Sequence, residues 1–366
     1  MRQIKRRFDP KSPEIQAFRR EVREATFTKE GMMVAFPTCF PGMTVPLVPD
    51  ESRITALDVT PEGVICGGTS GYRTHLIAAE FHGLTGIVID LGVVHAARQC
   101  AAVCCTKSHC VALVNGSKGG RAFLVPISRL SEDLIQEWGF RRPTFDDLGE
   151  CVTGEPVVHA IAEPSGSVIG TTSRHVFKID PKTRKVEVVG EAPAGGRIAL
   201  TSKGNIVGRD GEISLWHFDP RASSFRRGAV ALPGGTWKHP LFWARNTLTG
   251  LLFTADEAGH FFSFDEATEF SGPLAQTPLI PVGPMAVTFE GRVFGFCGTE
   301  MSRLFCFDPA RREITNLGGA ASVIERRRYG YQFGDAATGR DGEIVFGEDD
   351  NGGHLWLYFP RIMARA

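Results

Sequence analysis

The sequence predicts an all-β chain folded as a single seven-bladed β-propeller, and three observations predict it. One four-strand unit recurs along almost the whole length, glycine-bearing turns recur between short apolar runs, and the last unit lacks a strand that the N-terminus can supply.

The unit is clearest in VFKIDPKTRKVEVVG from Val176, LWHFDPRASSFRRG from Leu215, FFSFDEATEFSG from Phe261 and LFCFDPARREITNLG from Leu304. Asp180, Asp219, Asp265 and Asp308 mark the same turn in each, at intervals close to the ~40–50 residues of a propeller blade. Each of these hairpins follows another with a glycine in its turn, as in IALTSKGNIVG from Ile198 and MAVTFEGRVFGFCG from Met285. Glycine supplies the positive φ that such turns require. The segment from Cys100 to Pro143 reads as a degenerate copy with a long outer loop.

First strands fall near Ile54, Cys100, Val157, Ile198, Leu241, Met285 and Tyr331, which gives seven units. The seventh ends at HLWLYFPRI without a fourth strand, and GMMVAFPT from Gly31 is expected to complete it and close the ring. Upstream, Ser12 and Pro13 form a helix start signal, and Ile15, Phe18 and Val22 follow at helical spacing. The expected organisation is an N-terminal extension with a helix over 1–30, packed on the side of a propeller over 31–366.

Composition agrees with many short strands: 42 Gly, 22 Pro and 26 Phe in 366 residues, with 42% hydrophobic content. The 41 basic and 41 acidic side chains balance, so no global field marks a nucleic-acid or membrane binder, and any charge that matters is local. The N-terminus MRQIKRRFDPKSPEIQ has no apolar h-region and no stretch is long and apolar enough to span a bilayer, so the chain reads as cytoplasmic, or as secreted if a signal was removed. A monomer is expected. Nine cysteines, with Cys104 and Cys105 adjacent, argue for reduced thiols rather than a disulfide framework.

Strands labelled A to D from the centre outward alternate in direction, so A–B and C–D turns share one face of the ring. Asp-Pro turns collect there and read as structural. The opposite face, made of B–C turns and D–A crossovers, collects Tyr72, Arg73, His75, His95 and Arg98 from the first blade and its crossover. Lys118, Arg121, Arg141 and Arg142 join from the second. His159, Arg197, Lys238 and His239 lie at later inner-strand starts, and Arg326, Arg327, Arg328, Tyr329 and Tyr331 precede the last blade.

A basic, histidine-rich mouth on a neutral protein points to an anionic ligand of modest size, with acidic sugars a good fit. Arg presents a planar fork to a carboxylate, His exchanges protons near neutral pH, and Tyr stacks on sugar faces. His75 also has a structural reading, because His175, His260 and His354 fill the same strand-start position. His95 has no such counterpart. His159 and His239 could line the channel or merely hydrogen-bond there.

Cys100, Cys104, Cys105, His109 and Cys110 look like a metal set, but strand alternation sends neighbours to opposite sides, and they read as small core residues. No P-loop, GxSxG elbow or HExxH motif is present. No cofactor is expected, and a metal held in the channel by His159 and His239 stays open.

The segment GGTSGYRTHLIAAEF followed by VVHAARQ resembles the seven-bladed propeller polysaccharide lyases, including the short ulvan lyases and the rhamnose-glucuronate lyases. The resemblance implies β-elimination at glucuronate in an acidic oligosaccharide or polysaccharide. His95 and His75 would be the catalytic pair, and an Arg of the same mouth would neutralise the carboxylate. Those lyases use a tyrosine from the second-blade region, where this chain has Trp138, Gly139 and Phe140, so Tyr329 or Tyr331 would stand in. Related propeller rhamnosidases imply hydrolysis as the alternative. A noncatalytic propeller that docks a protein partner, and a metal-dependent oligouronide lyase using channel histidines, are further readings.

Overall fold

A computed structural model describes residues 9–38, 47–82, 85–94, 97–130, 144–191, 196–234, 237–238, 241–324, 328–350 and 352–362. The described residues form seven antiparallel sheets that are consecutive in sequence and arranged as a seven-bladed propeller. Blade one runs Arg53–Val59, Ile65–Ser70, Thr74–His82 and Thr85–Val94, from channel to rim. The other innermost strands are Ala97–Cys105, Val157–Ala162, Ile198–Leu200, Ala244–Arg245, Val282–Val287 and Phe333–Thr338.

The N-terminal strand Gly31–Pro37 pairs antiparallel with His354–Pro360, from Gly31 opposite Pro360 to Pro37 opposite His354. Blade seven therefore draws its outer strand from the start of the chain, and the ring has no open edge there. Blade six differs from the expected four strands: its outer strand Glu313–Ala321 carries a short fifth, Tyr329–Gly330.

Each blade is covered on both sides by its neighbours, which is why its strands read as near-continuous apolar runs. Side chains alternate along a strand, so successive residues serve different blade interfaces. Phe177 packs with blade two, through Leu113 and Leu124, whereas Val176 packs with Trp216 and Phe218 of blade four. The interface between blades seven and one is built from Val34, Ile54, Ile77 and Leu357, all essentially fully buried. Each such side chain stabilises the ring by about 1.5–3 kcal/mol relative to exposure.

The helix α1 (Pro13–Arg23) begins where Ser12 and Pro13 predict, with the Ser12 hydroxyl accepting the amide of Ile15 at 3.3 Å. It lies against the outer strand of blade six. Phe18 is buried there over Gly319, where a Cβ would stand 2.2 Å from the Phe18 ring. No helix among the described residues is long and apolar enough to cross a membrane.

Candidate functional site: a trough from the channel mouth to the rim

Bulges shape the channel mouth. On the innermost strand of blade seven, Phe333 faces Glu348 and Asp335 faces Gly347, so Gly334 is left without a partner in the ladder. A Cβ at Gly334 would stand 2.9 Å from the carbonyl of Ile54 in blade one, a close approach that glycine permits. The freed carbonyl of Gly334 accepts Arg197 Nη2 at 3.0 Å, while Arg197 Nη1 donates to Asp335 Oδ1 at 3.1 Å. Arg197 belongs to blade four, so this link crosses the ring. Its guanidinium also lies over the Phe242 ring at 4.1 Å, and Asp335 Oδ2 accepts the amide of Leu57 in blade one.

Beside it, His159 Nδ1 accepts the amide of Ile198 at 3.2 Å, which fixes that nitrogen as the unprotonated one. Burial, and then the charge of Arg197, push its pKa well below the ordinary histidine value. His159 is a neutral hydrogen-bonding residue of the mouth.

His75 is buried, with Nδ1 3.0 Å from Asp90 Oδ1 and Nε2 3.1 Å from Glu51 Oε2. Burial alone would lower its pKa, but hydrogen bonds and charge from Asp90 and Glu51 outweigh it and raise the value. A carboxylate oxygen stands at each ring nitrogen, a geometry that suits an imidazolium donating from both. Arg73 closes the cluster by a bidentate pair to Glu51 at 2.7 and 3.0 Å.

The same device recurs. Glu155 takes His175 and Arg174, Asp256 takes His260, and Glu348 takes Arg328, His354 and the Trp356 indole N–H. A carboxylate staples a histidine at the head of the third strand in blades one, three, five and seven, and His75 is the first of the set. Both of its ring nitrogens are committed to that role, which leaves neither for proton exchange with a ligand.

Tyr72 is exposed at the first B–C turn, and Arg98 and Lys118 are exposed on the same face. Arg121 donates to Asp147 at 2.7 Å. His95, Arg142 and His239 lie outside the described residues, as do Arg141, Arg326 and Arg327.

A cavity of about 1490 Å³ opens on this same face. One wall is the D–A crossover into blade seven, with Arg328, Tyr329 and Tyr331. The floor toward the channel carries Arg53, Asp349 and Asp350, and the far wall is α1, through Phe18, Arg19, Val22 and Arg23. Phe18 fixes both tyrosines, with ring centroids 6.1 Å from Tyr329 and 5.5 Å from Tyr331. Arg328 binds Glu348, and Arg53 donates to Asp349 at 2.8 Å. Arg19 and Arg23, one helical turn apart and exposed, have no described carboxylate within ion-pair distance.

Two carboxyls in the trough are perturbed upward. Burial raises Asp349 despite Arg53. Burial, reinforced by the neighbouring charge of Glu348, pushes Asp350 up to about 6. Tyr331 is raised as well, by burial and by the charges of Tyr329 and Asp350. A cavity that combines shifted proton donors and acceptors with cations that meet no described carboxylate has the makings of a reactive site. Sequence reasoning gathered Arg328, Tyr329 and Tyr331 but missed Arg19, Arg23, Arg53, Asp349 and Asp350. The available signals were the Arg19/Arg23 spacing on the apolar-faced helix and the acidic run Glu348 to Asp350 at a strand end on the basic face.

No family model and no curated protein matches the chain. Among solved structures, virginiamycin B lyase from Staphylococcus aureus superposes with a TM-score of 0.60 at 9% identity, over 91% of this chain and all of that one. The extracellular domain of a hybrid two-component system from B. thetaiotaomicron gives 0.56 at 11% identity, over 90% of this chain and 40% of that one. At such identities the likeness is one of fold: this chain is a seven-bladed β-propeller similar in architecture to both.

Proposed function

We propose that the chain is a carbon–oxygen lyase that binds a glucuronate-containing oligosaccharide in the trough and cleaves it by β-elimination. The observation that carries this reading is Asp350, a carboxyl held near 6 in a cavity shared with Tyr331 and with two arginines that meet no carboxylate among the described residues. In this mechanism Arg19 and Arg23 bind the uronate carboxylate, which acidifies the proton on the adjacent C5. Asp350, ionised at neutral pH, takes that proton. The C5–H pair becomes the C4–C5 double bond, the C4–O bond breaks, and the departing oxygen takes a proton from the Tyr331 hydroxyl. Tyr329 offers a ring face to the sugar.

The likeness to a propeller whose name is that of a lyase supports the reaction class at the level of fold. His95, which lies outside the described residues, stays a second proton-transfer candidate from its sequence position between Val94 and Ala97. The test is incubation with rhamnose-glucuronate oligosaccharides while following the absorbance of the unsaturated uronate. Absorbance should grow with the wild-type chain and not with D350N. Growth that is unaffected by D350N and abolished by His95→Ala would move the base to His95.

A hydrolase reading is favoured by one observation, the adjacent raised pair Asp349 and Asp350, which could serve as acid and base. Rhamnose release without the unsaturated product would select it. No reaction on any glucuronate glycan would sink both enzyme readings.

A further inference from the structure

The ring carries a second cluster of chemically capable side chains, unrelated to the trough. Cys66 stands second in the strand Ile65–Ser70 of blade one, Cys105 ends the innermost strand of blade two, and Cys110 stands second in the strand His109–Gly116. Their three sulfur atoms lie within 4.8 Å of one another. Strand direction places them on the face of the A–B turns, opposite the trough.

The convergence corrects the expectation that these cysteines cannot meet. Cys104 and Cys105 do diverge: Cys104 packs toward blade three with Val111 and Phe177, while Cys105 faces blade one. However, Cys105 is the direct cross-strand partner of Cys110, so those two side chains share a side. The third sulfur comes from the neighbouring blade, whose Cys66 projects into the same interface beside Ala78 and Phe123. Cys66 and Cys110 are each 2% exposed, whereas Cys105 is only half-buried and opens the cluster to solvent on one side. The end of that inner strand is pinned by Asp58, whose carboxylate accepts the Cys105 amide at 2.6 Å and the Val59 amide at 2.8 Å.

We infer that Cys66, Cys105 and Cys110 form a site for one thiophilic divalent cation of the zinc class, with water in the fourth position on the open side of Cys105. Tetrahedral coordination with zinc–sulfur bonds of about 2.3 Å needs sulfurs about 3.8 Å apart, so the cluster has to contract by no more than about 1 Å. Charge favours a divalent ion over a monovalent one. Three thiolates with a 2+ ion leave a single negative charge in an apolar interface, half of what a 1+ ion would leave. Binding releases the three thiol protons to solvent, and no oxidant or reductant takes part.

The test uses the full, reduced, metal-free chain titrated anaerobically with cobalt(II). One equivalent should produce thiolate-to-cobalt charge transfer together with the d–d bands of a four-coordinate ion, and zinc should displace it. Three thiols should become slow toward a thiol reagent when zinc is bound. Cys105→Ser, at the open edge, should weaken cobalt binding at least tenfold and leave the melting of the metal-free chain nearly unchanged. The wild-type titration stands by itself if that variant fails to fold. Absence of the charge-transfer band at stoichiometric cobalt would overturn the site, as would bands of equal strength in Cys105→Ser, or a Cys105–Cys110 disulfide in a chain that ignores the metal once reduced.

Discussion

Arg197 of blade four reaches across the channel mouth to Asp335 of blade seven, 138 residues away in sequence, at 3.1 Å. Both side chains are more than four-fifths buried, 18% and 16% exposed. The pair joins two nearly opposite blades directly, without passing through the blades between them. Replacing Arg197 by Ala strands Asp335 beside the carbonyl of Gly334, and a stability loss of about 2–3 kcal/mol is expected in urea unfolding. R197A and D335N should be less than additive together, and strict additivity would show that the two side chains do not act as a pair.

The staple at His75 predicts a distinct dependence on pH. Its raised pKa means that its stabilisation is full below the ordinary value of 6.5 and is lost as pH climbs through the higher folded-state value. Glu51 has the opposite sign: the Arg73 hydrogen bond, aided by His75, lowers its pKa, so its stabilisation is present above 4.5 and is lost as pH falls through the folded-state value. The cluster therefore contributes most between about 4.5 and 6.5. His75→Ala should cost about 2–4 kcal/mol by removing the cation that Asp90 and Glu51 share in a buried site. An NMR titration placing His75 at or below 6.5 would contradict the assignment.

Asp350 sets the acid limb of the proposed reaction. As the base it works only when ionised, so kcat/KM should rise with pH through about 6 and level off above it. D350N should lower kcat by roughly 10²–10⁴-fold, the usual range for a lost general base. A limb that stays in place in D350N would assign it to another group.

Arg19 and Arg23 should govern affinity for the anionic part of the ligand. R19A and R23A are expected to raise KM for a glucuronate oligosaccharide more than for its carboxyl-reduced counterpart. An equal effect on both would mean that the arginines do not meet the carboxylate.

Phe18 ties α1 to the tyrosine wall. Phe18→Ala removes the ring packed over Gly319 and between Tyr329 and Tyr331, and about 3–4 kcal/mol of docking is expected to go with it. Limited proteolysis should then cut within Pro13–Arg23 well before the blades, and unchanged protease resistance would count against the docking role.

The blades were legible because each repeats one turn chemistry, marked by Asp180, Asp219, Asp265 and Asp308, and because alternate strand direction sorts every loop to one of two faces. That sorting placed Arg328, Tyr329 and Tyr331 on the face where the trough opens. It could not separate the His75 staple from a reactive histidine, since the decisive partners Glu51 and Asp90 come from a crossover and an outer strand. Asp349 and Asp350 escaped notice because an acidic run at a strand end ordinarily reads as a solvated turn, whereas here it lines the trough. The thiol cluster was hidden by the range of the alternation rule. It governs neighbours within one hairpin and says nothing of Cys66, which arrives from another blade.

The pairing of Gly31–Pro37 with His354–Pro360 has a consequence for the order of assembly. The seventh blade cannot be finished until His354–Pro360 meets Gly31–Pro37 from the other side of the propeller sequence, and contacts of such long sequence separation are slow to form. Helix α1 sits a few residues upstream of that strand and supplies one wall of the trough, while Tyr329, Tyr331 and Asp350 supply the other. Shutting the ring and building the trough are therefore coupled. A chain without either strand would keep most of its blades but lose the closed seventh blade, and with it the join between the α1 wall of the trough and the wall facing it.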